Sequence, residues 1–264
     1  MRIARFTLDE DPQFGLLGVD DDGRHMLAPI DTDPLYRPPT LTGEKYPLDE
    51  VRLLAPVLPR SKVVGVGRNY AAHAAAMGAE VPDEPLLFFK PNTSVIGPDD
   101  PIVIPSQTQD VSQEVELAVV IGRVCKDVTA EGAAEVIFGY TVSNDVTARD
   151  LQGSDGQWAR AKGFDTFCPL GPWIETELDV SDVAVRSSVN DESRQDGRTS
   201  DMVHAVPDLI AYISAAFTLL PGDVILTGTP KGAGPIVAGD RVSVSVDEIG
   251  TLTNPVVDRE MRAE

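Results

Sequence analysis

Apolar and polar residues alternate along several short segments of the first sixty positions. Segments 1–8, 14–19 and 25–28 show this alternation, and runs of turn-forming residues separate them. A spacing of two residues between apolar positions is typical of β-strands that bury one face. Prolines then recur over residues 37–59. We therefore predict a small N-terminal β domain and a connector over residues 1–60.

From residue 62 onward, the pattern indicates many short strands and few helices. Apolar residues at helical spacing predict a helix after Pro207, and weaker patterns predict helices over 69–77 and 129–136. Regular alternation of strands with helices is missing from the sequence, which argues against a doubly wound nucleotide-binding fold. The prediction for residues 61–264 is an α+β domain that consists mostly of β structure.

The segment 114–122 carries two acidic residues within a strand pattern. Its apolar face consists of Val115, Leu117, Val119 and Ile121. Glu114 and Glu116 then lie together on the opposite face, where their negative charges repel each other. Such a pair most often marks a solvated strand face, but Ala118 and Val120 continue this face with apolar residues. We therefore predict that both carboxylates point into an enclosed site, where a cation would relieve their repulsion.

A second group of polar residues follows the next predicted strand, over 137–146. Asp145 stands at the end of that strand, and Arg149 and Gln152 are three residues apart on one side of a short helical turn. Lys162 adds a further cation. Asp145 and Arg149 alone would most often form a local ion pair, and a lone lysine is usually a surface residue. Their combination with the two glutamates is what indicates a functional site.

A series of short motifs follows from about residue 62 onward. These motifs are Gly67-Arg68-Asn69-Tyr70 with His73, Phe89-Lys90-Pro91, Glu114-x-Glu116-Leu117, Asn144-Asp145-x-Thr147-Ala148-Arg149-Asp150-x-Gln152, Lys162, Pro169-Leu170-Gly171-Pro172 and Thr227-Gly228-Thr229-Pro230. In content and order, they resemble the fumarylacetoacetate hydrolase family, in its bacterial branch of 2-hydroxyhepta-2,4-diene-1,7-dioate isomerases, acylpyruvate hydrolases and oxaloacetate decarboxylases. The set is highly specific for the family, although no single motif would be.

The resemblance implies a fold, a metal and a set of site residues. The implied fold is a catalytic domain of rolled, mixed β-sheets, which usually forms homodimers and acts on small 2-oxo acids. The implied metal ligands are Glu114, Glu116 and Asp145, and three hard oxygen ligands suit Mg²⁺ or Mn²⁺ better than Zn²⁺. The side chains implied to contact the substrate are Arg149, Gln152, Lys162 and Thr229, and those implied in catalysis are His73 and Lys162.

One position departs from the pattern of the family's hydrolases. In those enzymes, the short helix after the Asn-Tyr motif supplies a histidine and, three residues later, a glutamate, which together activate water. This chain has His73, but Ala76 stands in the place of the glutamate. Losing the partner of a general base would slow water activation about 10²- to 10⁴-fold. Steps that form an enolate without an attacking water would suffer less.

For the reaction, we therefore favour decarboxylation of a β-keto acid such as oxaloacetate, or isomerisation of 2-hydroxyhepta-2,4-dienedioate. Hydrolysis of acylpyruvates of the fumarylpyruvate type is an alternative. A second alternative is a non-catalytic protein that binds small molecules through its metal. The four side chains that would contact a substrate argue against this binding protein, because a purely structural metal site would not need them.

The composition and charge restrict the kinds of partner that the protein can be expected to bind. With 42 acidic and 22 basic residues, the chain has a formal charge of −20 and lacks a Lys/Arg cluster, so no nucleic-acid partner is predicted. The sequence has no apolar stretch of about 20 residues and no signal-peptide pattern, so we predict no membrane association and expect a cytoplasmic location. Cys125 and Cys168 lack the spacing of a metal site and are predicted to be buried free thiols.

Overall fold

The computed structural model describes residues 1–9 and 11–259 and consists mostly of β-strands, which confirms the predicted fold class. Among these residues, the strands are β1 (Arg2–Thr7), β2 (Gln13–Val19), β3 (His25–Ile30), β4 (Tyr46–Pro47), β5 (Arg52–Leu54), β6 (Val63–Gly67), β7 (Leu86–Lys90), β8 (Val95–Ile96), β9 (Ile102–Ile104), β10 (Val111–Gln113), β11 (Val115–Ile121), β12 (Ile137–Asn144), β13 (Thr147–Ala148), β14 (Cys168–Glu175), β15 (Ala184–Val189), β16 (Glu192–Arg198), β17 (Val224–Leu226), β18 (Gly234–Pro235), β19 (Arg241–Val246) and β20 (Gly250–Asp258). The α-helices are α1 (Ala71–Ala76), α2 (Arg149–Ser154), α3 (Ala159–Gly163) and α4 (Val206–Ala216).

The described strands form three sheets. The largest has twelve strands in the order β4-β3-β2-β1-β14-β12-β11-β17-β6-β7, with β5 beside β1 and β8 beside β14. A five-stranded sheet has the order β16-β15-β19-β20-β9, and a three-stranded sheet the order β13-β10-β18. Most neighbours are antiparallel, whereas β6 and β17 run parallel, so the sheets are mixed, as predicted.

The N-terminal strands join the largest sheet. β1 pairs with β14 so that Arg2 lies opposite Glu175. The N-terminal amine of Met1 and the Arg2 side chain both form ion pairs with the Glu175 carboxylate. A small apolar cluster holds these strands together, with Phe6 and Leu27 fully buried. Strands from both sides of the predicted boundary therefore share one sheet, and the division of the chain near residue 60 stays a prediction.

Strand β11 is buried along its whole length. Leu117 and Val119 lie in the main apolar core, which also contains residues of the five-stranded sheet and α4. Ala118 and Val120 belong to a second cluster. The predicted two-residue repeat is thus confirmed, because alternate side chains enter different clusters. Each fully buried Val or Leu side chain is worth about 1.5–3 kcal/mol, so β11 is a rigid support for the acidic residues at its start.

Two predicted helices are present. α4 begins at Val206, with Pro207 in its first turn, and it buries the apolar side chains of Leu209, Ile210 and Ile213. α1 is shorter than the predicted span of 69–77. In the described part of the chain, no helix has the length and apolar character needed to cross a membrane. Cys125 and Cys168 are buried free thiols, as predicted.

The helix predicted over 129–136 is wrong. Only Ala133–Glu135 is helical there, and it is a short 3-10 turn. The backbone N–H of Gly132 donates to the carbonyl of Thr129, three residues earlier, and the following bonds repeat this spacing. Gly132 lies in the middle of the segment, and a glycine costs about 1 kcal/mol in an α-helix. Eight residues cannot offset that cost together with the cost of helix nucleation.

Candidate active site

The three predicted metal ligands come together where β11 begins and β12 ends. The backbone N–H of Asp145 donates to the carbonyl of Glu114 over 2.8 Å, and the N–H of Glu114 donates to the Asn144 side chain over 2.9 Å. These bonds fix two carboxylate-bearing residues against each other. Carboxylate oxygens of Glu114, Glu116 and Asp145 all lie within 4.8 Å of one another, and all three residues are buried. We call this cluster the triad.

The loop after β17 closes one side of the triad. The backbone N–H of Gly228 donates to the Glu116 carboxylate over 2.7 Å, and the Thr227 hydroxyl donates to the Leu117 carbonyl over 2.9 Å. Gly228 has a positive φ of 99°, and a Cβ there would lie 2.7 Å from the Cβ of Asn69. The position therefore requires glycine on grounds of both conformation and space. This explains the Gly in the Thr-Gly-Thr-Pro motif.

Among the described residues, three cationic side chains form ion pairs with the triad. Lys162 donates to Glu114 Oε2 over 2.6 Å and also to Asp145 Oδ2. Arg149 donates to Glu114 Oε1 and over 3.0 Å to the side chain of Gln152, so the predicted proximity of Arg149 and Gln152 is confirmed. Lys90 donates to Asp145 Oδ1. The negative charges of the three carboxylates are thus matched by three positive charges.

Burial and these neighbours shift the pKa values of the cluster. Burial would raise the pKa of Glu114, but Arg149 and Lys162 outweigh it and hold that pKa well below its usual range. Burial raises the pKa of Glu116 well above its usual range, and the charges of Asp145 and Glu114 raise it further. Burial alone would lower the pKa of Lys162, but the acidic neighbours raise it. Glu116 is therefore the carboxylate that most lacks a compensating cation.

The triad opens into a cavity of about 250 Å³. This volume is below the roughly 300–1,000 Å³ typical of pockets for drug-sized ligands, and it suits a small metabolite. All predicted site residues line the cavity, namely His73, Glu114, Glu116, Asp145, Arg149, Gln152, Lys162 and Thr229. Phe88 and Trp158 form an apolar wall, with their ring centres 5.5 Å apart. The structure thus brings the predicted residues into one place, while their individual roles stay predictions.

His73 reaches the cavity from α1. Its Nε2 lies 3.8 Å from Glu114 Oε1, beyond hydrogen-bond distance. Burial lowers the pKa of His73, with Glu114 opposing this shift, which favours the neutral imidazole, the form that can accept a proton. Ala76, three residues later, is exposed. The helix therefore offers one proton-carrying side chain at the cavity and no carboxylate partner at position 76.

The contacts of Lys90 and Gln195 at the site were not predicted, although Lys90 belongs to the Phe89-Lys90-Pro91 motif. Lys90 is almost fully buried and follows Phe88 by two residues, on the same face of β7. Because alternate residues of a strand share one face, the position of Lys90 two residues after Phe88 could have indicated that its side chain points into the protein. Gln195 donates to the Thr229 hydroxyl over 2.8 Å and accepts from the backbone N–H of Val115 over 3.0 Å. Its strand is polar throughout, so nothing in the sequence marks it.

The donor set of the triad fits a hard divalent cation. Three buried carboxylates close to one another are the oxygen ligands that Mg²⁺ and Mn²⁺ prefer. Burial and the charges of Asp145 and Glu114 raise the pKa of Glu116, and a bound cation would oppose this shift. Glu114, Glu116 and Asp145 could together hold such an ion at the floor of the cavity. A bound ion would act there as a Lewis acid on a carbonyl oxygen.

Two family models match the sequence. The model described as fumarylacetoacetate (FAA) hydrolase C-terminal matches residues 62–257, and that described as Rv2993c-like, N-terminal matches residues 1–56. Protein Rv2993c of Mycobacterium tuberculosis is 52% identical over 261 residues, covering 97% of this chain and 98% of that protein. Oxaloacetate tautomerase YcgM of Escherichia coli is 48% identical over 196 residues, covering 72% of this chain and 90% of that protein.

Solved structures show the same similarity. The 2-hydroxyhepta-2,4-diene-1,7-dioate isomerase from Mycobacterium marinum has a TM-score of 0.90 at 49% identity, with 98% of this chain and 99% of that chain covered. Maleylpyruvate hydrolase from Sphingobium sp. SYK-6, solved with manganese(II) and pyruvate, has a TM-score of 0.80 at 33% identity, with 98% and 99% covered. The chain therefore belongs to the fumarylacetoacetate hydrolase family of enzymes.

Proposed function

We propose that this protein is a divalent-metal enzyme that moves protons beside the keto group of small 2-oxo diacids, with enol and keto oxaloacetate as the leading substrate pair. The observation that carries this proposal is a single cavity that contains the triad, the Lys162 ammonium and the His73 imidazole. Interconversion of enol and keto forms needs positive charge at the oxygen and a proton carrier at the carbon. The cavity offers both.

The relatives support a proton shift as the reaction. One similar protein is named an oxaloacetate tautomerase, and a similar structure is that of a dienedioate isomerase. The first name describes a proton that moves between an enol oxygen and the neighbouring carbon, the second describes the isomerisation of a 2-hydroxydiene, and both substrates carry two carboxylates. A shared enolate chemistry in the same cavity would account for both. This narrows the reaction favoured by the sequence toward tautomerisation.

In the proposed reaction, the side chains of the cavity would have different roles. Lys162 supplies positive charge near the keto oxygen as negative charge develops there, and Arg149 with Gln152 orients the substrate carboxylate next to that oxygen. In the keto-to-enol direction, the imidazole of His73 would take the proton from C3 and release it to solvent, while the enolate oxygen takes a proton from solvent. The reverse direction returns both protons by the same route. Phe88 and Trp158 exclude water from one wall, which strengthens the electrostatic interactions inside.

Decarboxylation of oxaloacetate is the second candidate, because loss of CO₂ passes through the same kind of enolate and needs no base. Hydrolysis of acylpyruvates is the third, and the similarity to maleylpyruvate hydrolase favours it. The absence of a carboxylate at Ala76 weighs against hydrolysis, since an attacking water would lack the second group that activates it. The remaining alternative is a non-catalytic protein, which would bind the 2-oxo acid without converting it.

The test follows enol oxaloacetate in the presence of purified protein and Mg²⁺ or Mn²⁺. Loss of the enol's ultraviolet absorbance reports tautomerisation, and release of pyruvate, measured in the same sample, reports decarboxylation. We expect enol loss well above the rate with metal alone, and much slower pyruvate release. Enol loss at the metal-only rate would contradict the proposed tautomerase, and equal rates of both signals would favour decarboxylation instead.

The proposed partners are the 2-oxo acid itself and a second copy of the chain. The homodimer rests on the family resemblance, and light scattering of the purified protein tests it directly. A mass of about twice the 28.3 kDa of one chain is the expected result. A mass equal to that of one chain at micromolar concentration would contradict it.

A further inference from the structure

In the part of the chain that the structure describes, Arg68 is a cation of the cavity wall without an ion-pair or hydrogen-bond partner. The other cations near the triad are engaged: Lys162 and Arg149 contact Glu114, and Lys90 contacts Asp145. Within residues 1–9 and 11–259, Arg68 lies in no ion pair or hydrogen bond found in the structure, although acidic residues outnumber basic ones almost two to one in this chain. A free guanidinium in so acidic a protein is an available anion site.

The position of Arg68 is fixed by the chain around it. Its φ of 60° is left-handed, a conformation that residues with long side chains rarely adopt. The adjacent Asn69 donates to the carbonyls of Thr227 and His204 over 2.7 and 3.0 Å and is buried. Gly67 on the other side packs under the Trp158 ring, where an added Cβ would come within 2.5 Å. Neighbours on both sides thus hold this unusual backbone in place, as is common at binding sites.

Arg68 marks the mouth of the cavity. It lines the 250 Å³ cavity of the triad and also a neighbouring cavity of about 550 Å³, and Phe88 and Trp158 line both as well. Arg68 is exposed, whereas the three engaged cations are buried or half-buried. Among the described residues, the cavity therefore has a floor whose charges are paired and an entrance where the Arg68 guanidinium has no partner.

The charge of the site indicates what the entrance would bind. The charges of the triad and of its three cationic neighbours cancel. A divalent ion held by Glu114, Glu116 and Asp145 would therefore give the floor two positive charges, and Arg68 at the mouth would add a third to the cavity. The first carboxylate of a bound 2-oxo acid would neutralise one of them. A second carboxylate farther along the substrate would then lie near the Arg68 guanidinium, which can donate two parallel hydrogen bonds to a carboxylate.

We propose that Arg68 is the specificity-determining residue of the site, and that it selects 2-oxo dianions by binding the carboxylate farthest from the metal. This inference rests on the proposed function and adds to it the residue that distinguishes diacids from monoacids. The floor of the cavity would process the 2-oxo acid unit, which diacids and monoacids share. Discrimination between them would come from the mouth.

The test compares two substrates that differ only at the distal end, oxaloacetate and 2-oxobutanoate. Exchange of the C3 protons with deuterated water is measured by NMR for both, with the Mn²⁺- or Mg²⁺-loaded protein. We expect R68M to lower kcat/KM for oxaloacetate about 10- to 100-fold, since a hydrogen bond to a charged group is worth about 1.5–3 kcal/mol. Exchange of 2-oxobutanoate should change less than about threefold, and R68K should recover part of the loss. R123M, at another exposed arginine, is the matched control.

Binding of inert analogues gives a second readout. Malate and 2-hydroxybutanoate differ in the same distal carboxylate, and their dissociation constants follow from calorimetry. We expect R68M to raise the dissociation constant of malate and to leave that of 2-hydroxybutanoate unchanged. Equal effects of R68M on both members of each pair would overturn the role of Arg68 while leaving the tautomerase intact. No exchange of either substrate by the unaltered protein would instead overturn the proposed function, and the analogue titrations would still decide the role of Arg68 in binding.

Discussion

The floor of the cavity and its mouth differ in how their charges are paired. At the floor, Lys162 and Lys90 are almost fully buried and bound to triad carboxylates. At the mouth, Arg68 is exposed and has no partner in the described part of the chain. Electrostatic interactions are stronger away from water, so changes at the floor should have larger effects than changes at the mouth. This contrast suggests that chemistry and substrate choice are separate properties of the same cavity.

The largest effect is expected from removing a triad charge. E116Q keeps the shape of the side chain and its contact with the Gly228 N–H but loses one of three anionic ligands. Lewis-acid stabilisation is worth several kcal/mol, so we predict a loss of turnover of about 10³-fold or more in the enol assay. E80Q, at an exposed glutamate, is the control. Turnover within tenfold of the unaltered protein would show that the reaction does not depend on the triad.

The next largest effect is expected from Lys162. K162M removes a buried charge that contacts Glu114 and Asp145. Because Lys162 repels a metal ion and stabilises the enolate, we predict that kcat falls about 10²-fold while the affinity for Mn²⁺ stays equal or increases. K45M, at an exposed lysine, should change neither quantity. Weaker Mn²⁺ binding together with an unchanged kcat would show that Lys162 only supports the structure of the site.

A gain of function is expected on α1. A76E places a carboxylate three residues after His73, on the same side of the helix, where it can assist the imidazole in activating water. We predict a rise of about tenfold or more in the hydrolysis of acylpyruvates, with little change in tautomerisation. A75E, at the exposed neighbouring position, is the matched control. If A76E and A75E hydrolyse acylpyruvates equally, the residue at position 76 does not explain the preference for enolate chemistry.

The smallest effect concerns stability without metal. Burial and two acidic neighbours raise the pKa of Glu116 in the folded protein above its ordinary value of 4.5. The unfolded state then loses this proton at lower pH than the folded state does, so Glu116 destabilises the metal-free protein progressively as pH rises above about 4.5. We predict that E116Q is more stable than the unaltered protein in EDTA at pH 7, by a margin that shrinks toward pH 4.5. Urea unfolding across this range measures the margin, and a margin independent of pH would be the contrary result.

Much of the site could be predicted because its signals are local. The strand repeat places Val119 and Val120 in separate apolar clusters. It also predicts that Glu116 faces an enclosed site, and Glu116 does line the cavity. The three-residue spacing of Arg149 and Gln152 likewise produced the expected hydrogen bond. Such relations depend only on the geometry of one strand or one helical turn, which the sequence encodes directly.

The remaining features depend on contacts between distant segments. Lys90 contacts Asp145 across 55 positions, and Gln195 reaches Val115 across 80. Neither pairing follows from a periodic pattern, since each depends on how the sheets pack. The helix predicted over 129–136 failed for a related reason, because its weak local preference was outweighed by Gly132 and by the short length of the segment.

Binding of Mn²⁺ to the metal-free protein tests the role of the triad most directly. Electron paramagnetic resonance measures free Mn²⁺ during a titration, and it needs no assumption about the substrate. We predict that the unaltered protein and R68M each bind one Mn²⁺ per chain. In E116Q and D145N, we predict that the dissociation constant for Mn²⁺ is at least about 10²-fold higher. Unchanged Mn²⁺ binding in both triad variants would contradict a metal site formed by Glu114, Glu116 and Asp145.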